Sequence, residues 1–549
     1  MWTRLLVGSA ILSISVLAQA QGTQLWQQSS FESFEAGTPQ GVAIRSDGQL
    51  ESAPVATKVL TTAASDVWSV AVDSRGNAYL GTGSPATVLK VTPDGKSTPL
   101  LETKDVSVQV VKIGPDGMLY AATLPNGKVY RINPNGPEVK VDNAPRPVYK
   151  QAAEAPAKIG PAPDVIFDAS AVNPKVTYIW DLAFDAQGRM YVATGAPANI
   201  YRVDLKKRDA SPEKFFSSSE QHIRCLLFAN DGTLYAGTDG RGLVYRIDPR
   251  GKGFVLFEAP RQEIPAMALD PEGNLYVAAL GEKGKSTLPP LNVHSATTMT
   301  ASITILLPGS VAASHDSTLV PKGTVIYQIS PDGAPRQLWA SQHDVVYALA
   351  WQQNADPRQN GLLAGSGNQG HLYRISLDGT YADLAHLEAA DATAFAMADN
   401  SLYVATSNTG KLYRLSAVHV GSGGNSTYVS PVADAKFSAE WGRPAVRGSG
   451  HYDLFARVGN IEQPTEGWSD WQPINSGGEA PKFPRARFLQ WKAVLHGDAT
   501  LRQVGFYYLP QNVAPVVDDI VVELHARVVP GLNQESQTAP VQINFPAES

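Results

Sequence analysis

A single cysteine, Cys225, stands in 549 residues, so no disulfide can form within the chain. It lies in an apolar run, Ile223-Arg224-Cys225-Leu226-Leu227-Phe228, where a small buried hydrophobe is expected. No His or third group accompanies it as a nucleophile would require. Runs of Lys and Arg are also missing, and the formal net charge is −6. That balance argues against a nucleic-acid or anionic-membrane partner, either of which would favour a basic face. His222, His343, His371 and His386 are scattered without metal-ligand spacing, and no metal or other cofactor is expected. Helical periodicity is nearly absent, which leaves an all-β chain.

The N-terminus reads as an address. Met1-Trp2-Thr3-Arg4 is a short positive start, Leu5 to Leu17 is uncharged and apolar, and Ala18-Gln19-Ala20 supplies small residues for a peptidase. Cleavage after Ala20 is expected, giving a periplasmic or secreted protein of formal charge −7 once Arg4 is lost. No Cys follows that run, so a lipid anchor there is not expected. Later stretches of about eighteen apolar residues are absent, so no membrane span is expected.

What is present is a repeat of about forty residues. Each copy has an alternating apolar strand, a turn with Gly, a strand with Tyr, a second turn, and a strand ending in a Tyr-Arg-Ile-like triplet. The copies start at Val67, Val108, Ile179, Ile223, Ile264, Val346 and Ala392. Gly76, Gly117, Gly188, Gly232 and Gly273 mark the first turns, where a tight hairpin needs positive φ. Sheets this small cannot bury both faces alone, and stacking them radially solves the problem. A seven-bladed β-propeller over residues 21–420 is therefore expected. Residues 41–54 resemble part of a repeat, so an N-terminal strand should complete the last blade. Stretches 137–177 and 281–322 are expected as surface insertions. The Tyr-Arg pairs alternate faces, so they report repeated architecture rather than nucleic-acid contact.

After the Gly-rich link 421–425 the pattern changes. Strands around Tyr452–Arg457, Arg487–Leu495 and Val504–Tyr508, punctuated by Gly and Pro, predict an antiparallel β-sandwich over 426–515. An extra strand and a polar tail are expected in 516–549. Trp468, Trp471 and Trp491 are expected mainly as sandwich core, with a carbohydrate platform as the alternative.

The Asp-x-x-Gly-x-x-Tyr-x-x-Thr/Gly spans, such as Asp185 to Thr194 and, in a form two residues shorter, Asp231 to Thr238, resemble the NHL and WD-repeat-like propellers of exported bacterial proteins. They are also similar to those of regucalcin/gluconolactonase and virginiamycin B lyase type. The resemblance covers about 40–418 and implies a propeller without implying an activity. A lactonase or lyase of those types should carry a convergent acid, amide or His cluster at the channel mouth.

Aligning the first strands on their turn glycines tests that. Eight residues before each glycine stand Trp68, Gln109, Trp180, Arg224 and Pro265, joined in a looser alignment by Tyr347 and Thr393. The next register holds Ser69, Val110, Asp181, Cys225, Ala266, Ala348 and Ala394, with Asp181 the one acid. One carboxylate cannot cage a hard cation, which argues against a metal-dependent hydrolase. The expectation is a non-catalytic binding protein whose ligand, a protein or glycan, meets Trp68, Gln109, Trp180, Arg224, Tyr347 and Asp181 at one mouth of the ring. A propeller-type lactonase or lyase and a carbohydrate-binding protein are the alternatives.

Overall fold

The computed structural model describes residues 22–141, 164–176, 178–207, 211–283, 323–353, 360–399, 401–416, 426–475 and 481–511. The expected signal segment, the tail 516–549 and most of 281–322 lie outside them. Among the described residues no helix is long and apolar enough to cross a membrane.

The repeat folds as antiparallel four-stranded units. The first strands are Asp66–Val72, Ser107–Ile113, Tyr178–Phe184, His222–Phe228, Glu263–Leu269, Val346–Gln352 and Asp391–Ala398. They touch in that order, and the last returns to the first, so the units form a closed propeller. Seven apolar clusters sit between neighbouring units, one per interface. Val110, Tyr120, Ile179, Val192 and Tyr201 fill the junction of blades two and three. Val67, Leu80, Tyr403, Ala405 and Leu412 fill that of blades one and seven. Each blade thus buries both faces only through its neighbours.

The repeated Asp and Tyr have a shared reason. Tyr79 donates to Asp73 at 2.9 Å, Tyr120 to Asp116 at 3.0 Å, Tyr191 to Asp185 at 3.0 Å and Tyr276 to Asp270 at 3.0 Å. The same carboxylates accept turn amides, as Asp185 Oδ1 does from Gln187 and Arg189. The Asp turn is therefore latched to the body of its blade. Burial raises the carboxyl of Asp185, but bonds from Arg189, Tyr191 and the backbone outweigh it and hold the pKa below its ordinary value. Tyr191→Phe is expected to cost about 1 kcal/mol, and Asp185→Ala about twice that, because it frees a buried hydroxyl and two amides together. Urea unfolding of both variants checks the order.

Ring closure differs in detail from the expectation. The strand that completes the last blade is Ala56–Thr61, paired with Lys411–Ser416, and not the stretch 41–54. That stretch forms the hairpin Val42–Arg45 and Gln49–Ser52, which extends blade six beside Tyr381–His386 and continues to the long strand Ala486–Pro510. Within 137–177, Asp164–Asp168 is the fourth strand of blade two, paired with Lys128–Ile132, so a regular blade element lies inside the expected insertion.

The C-terminal region contains two long, irregular strands, Ala433–Gly459 and Ala486–Pro510, paired along most of their length. Its core does not belong to the C-terminus alone. Phe34, Val42, Ile44 and Leu50 pack there with Tyr428, Trp441, Leu489, Trp491 and Phe506. The short helix Phe31–Glu35, capped by Ser30, is held by Tyr428, whose hydroxyl donates to Phe34 O at 2.7 Å.

Candidate functional site

All seven first strands break register at the same place. The shifts fall at Trp68, Gln109, Trp180, Arg224, Tyr347 and Thr393, and in blade five between Glu263 and Ala266. A β-bulge adds one unpaired residue and re-aims its side chain, and it tolerates proline, which accounts for Pro265. The residues aligned by their turn glycines are thus the bulged residues of the ring.

The bulges create room for large side chains. A Cβ on Gly83 would stand 2.6 Å from Trp68 Nε1, and one on Gly367 would meet the ring of Tyr347. At Gly195 it would land on His222 Nδ1 and 2.5 Å from Trp180 Nε1. Glycine at the end of a second strand therefore accompanies each bulged aromatic. Trp68 is 36% exposed and Tyr347 38%, large fractions for rings carried on inner strands.

Trp180 is clamped instead. It stacks on Tyr178 with centroids 5.0 Å apart, donates to His222 Nδ1 at 3.0 Å, and carries the Arg224 guanidinium at 3.8 Å from its ring centre. Arg224 Nε donates to Glu263 Oε1 at 2.6 Å. Blades three, four and five are so joined through aromatic, cation and acid.

Two residues before the bulges lies a further row, absent from the two registers aligned above: Asp66, Ser107, Tyr178, His222, Glu263, Val345 and Asp391. Four of them are held by single backbone bridges to the preceding blade, pairing Ser407 with Asp66, Gly83 with Ser107, Gly195 with His222, and Asp239 with Glu263. The mouth therefore carries Asp66, Asp239, Glu263 and Asp391. Asp181 is therefore not the one acid on these strands, and a single carboxylate no longer counts against a metal-dependent hydrolase. The signal was there, in the residues that open each first strand. These groups do not gather tightly: among the described residues, one group of three His, Cys, Asp or Glu has its ligand atoms within 4.8 Å of one another, and it lies elsewhere.

Burial and the neighbouring Glu263 push Asp239 up to about 6. Burial and the charge of Arg224 push His222 down to about 4. Asp391 is raised by burial and by Asp66, against bonds from Asn408 and Ser407.

Asp181 serves the scaffold. Its Oδ2 accepts from Leu226 N at 2.9 Å in the next blade, and its Oδ1 accepts from Leu182 N at 2.8 Å with Lys112 Nζ 3.4 Å away. Gln109 is half-buried at its bulge. Cys225 is buried, its thiol 3.3 Å from Ile264 O, and burial raises its pKa.

The tight cluster is Glu35, His371 and Asp383, where the N-terminal helix meets blade six. His371 Nδ1 lies 2.7 Å from Asp383 Oδ2 and Nε2 lies 3.2 Å from Gln369 Oε1. Burial lowers the His371 pKa, but Asp383 outweighs it and the net direction is up. Two acceptors on one ring favour the doubly protonated form, so His371 and Asp383 make a buried ion pair within blade six, with Glu35 of the helix nearby. In the C-terminal region Trp491 is core, while half-buried Trp468 and Trp471 flank Arg457 at 5.5 and 4.4 Å.

No protein-family model matches this chain, and no curated protein matches it by sequence. Solved propellers resemble it in structure. Virginiamycin B lyase from Staphylococcus aureus is 11% identical, with a TM-score of 0.45 over 72% of this chain and 99% of the lyase. The WD40 propeller domain of Doa1 is 8% identical, with a TM-score of 0.43 over 65% of this chain and 96% of the domain. YCF48 bound to D1 peptide is 14% identical, with a TM-score of 0.42 over 66% and 96%. Likeness at this level concerns the fold and not the chemistry.

Proposed function

We propose that this chain is an exported, non-catalytic binding protein that holds a segment of protein or glycan at the mouth of its propeller. The observation that carries this reading is the set of bulged residues, above all Trp68 and Tyr347, exposed by 36% and 38% on the innermost strands. Aromatics and Arg dominate binding hot spots, and a site built on strands is held more rigidly than one on loops. The Leu5–Leu17 run and Ala18-Gln19-Ala20 support the export part of this reading, and its test is N-terminal sequencing of the secreted protein, expected to begin at Gln21.

The test is binding of the whole chain to glycan and peptide arrays. Binding that disappears in the Trp68→Ala/Tyr347→Ala double variant, with the thermal midpoint unchanged, supports the reading. Binding indifferent to that variant overturns it. The acids at the mouth favour a second reading, a lactonase or lyase using Asp66, Asp239, Glu263 or Asp391. Lactone or ester turnover abolished by a chelator would put that reading first.

A further inference from the structure

The ring already contains one bound guanidinium, supplied by the chain itself. Arg224 rises from the bulge of blade four, lies 3.8 Å over the Trp180 ring from the bulge of blade three, and bonds at 2.6 Å to Glu263, which opens the first strand of blade five. Aromatic, cation and acid thus come from three consecutive blades at set positions.

The same positions one half-turn on hold two of those three parts. Blade six supplies Tyr347 from its bulge, and blade one supplies Asp66 from the opening of its first strand. Between them the bulge of blade seven carries Thr393 where blade four has Arg224. The Thr393 hydroxyl donates to Val67 O at 2.5 Å and brings no charge. Asp391 adds a second acid, and Trp68 a second exposed ring. Asp66 receives bonds from Ser65 and Ser407, both at 2.5 Å, and Asp391 from Asn408 at 2.7 Å. All of those donors are neutral. Among the described residues no cation pairs with either acid or lies over Trp68 or Tyr347. Like charges crowd there, since Asp66 helps to raise Asp391, and a bound cation would relieve the crowding.

We propose that blades six, seven and one form a socket for an arginine side chain of a partner polypeptide, with its guanidinium on the face of Tyr347 and paired with Asp66 and Asp391. The occupant follows from the chain's own example: the equivalent socket in blades three to five is filled by an arginine. A planar guanidinium can stack on a ring and pair with a carboxylate at once, which an ammonium does less well. The inference rests on the binding reading of the mouth and narrows its ligand.

Titration of the whole protein with acetyl-Gly-Arg-Gly-amide and with its citrulline counterpart, followed by calorimetry, tests it. Citrulline keeps the shape and removes the charge. The arginine peptide should bind at least about tenfold more tightly than the citrulline peptide. Asp391→Asn should weaken it by a similar factor. Thr393→Arg should block it, because the chain would then fill the socket from within, as blade four does. Equal binding of the two peptides, no binding of either, or full binding to the Thr393→Arg chain would overturn the proposal. A glycan held by the wild type and lost in the Trp68→Ala/Tyr347→Ala variant would still leave the binding reading standing.

Discussion

Alanine at Trp491 should lower the free energy of unfolding by about 3–5 kcal/mol. The side chain is 0% exposed, and its ring centre lies 5.1 Å from that of Tyr428. Truncation removes an indole from a closed core, where the neighbours can collapse only in part. It also removes the donor to Gln28 Oε1, now at 2.8 Å. Gln28 is 2% exposed and would be left with a buried acceptor. Gln28 and Trp491 are 463 residues apart, so the variant loosens the N-terminal strand and the C-terminal core together. Trp468→Ala is the control: that indole is half-buried and bonds only to loop carbonyls at Ile461 and Gln463, and about 1 kcal/mol is expected. Urea unfolding followed by near-UV circular dichroism distinguishes them. A loss at Trp491 no larger than at Trp468 would mean that this core is not the joint between the chain's two ends.

The features legible in the sequence were those set locally. An Asp turn, a Gly with positive φ and a Tyr four or six residues after the Asp recur because each of these blades latches its own hairpin, so counting such units locates the blades. The closing strand was misplaced because pairing is non-local. Residues 42–52 have the composition of a blade hairpin, yet Ile44 pairs with Asp383, and nothing between Gly41 and Ser52 names that partner. The same limit hid the share of Phe34 and Leu50 in the C-terminal core. At the mouth, alignment on the turn glycines found the bulges but not the acids two residues before them, since a bulge interrupts the alternation by which strand faces are read. Asp181 stands out in the sequence as the one acid of the register after the bulges, and its bond to Leu226 N is invisible without the neighbouring blade.

Asp239→Asn should make the protein more stable at pH 7 and bring no such gain at pH 4. Asp239 is 1% exposed, and burial and Glu263 raise it from 3.8 to about 6. Between those values the folded protein keeps a proton that the unfolded chain has lost, so stability falls as pH rises through the window. The shift corresponds to roughly 3 kcal/mol, fully expressed above pH 6. His222 works in the opposite sense. Its depression from 6.5 to about 4 means that the unfolded chain takes up a proton first as pH falls, so stability drops between pH 6.5 and 4 by a comparable amount. Asp239 is the strand partner of both His222 and Glu263, and the two slopes largely cancel in the wild type. Removing one of them unmasks the other. Relative to the wild type, Asp239→Asn should gain stability progressively between pH 4 and 7, because the slope of the histidine is no longer offset. His222→Gln keeps an acceptor for Trp180 and should show the reverse, losing stability as pH rises over the same window. Guanidinium unfolding of the three proteins at four pH values provides the measurement, and parallel curves would show that neither group titrates as its surroundings require.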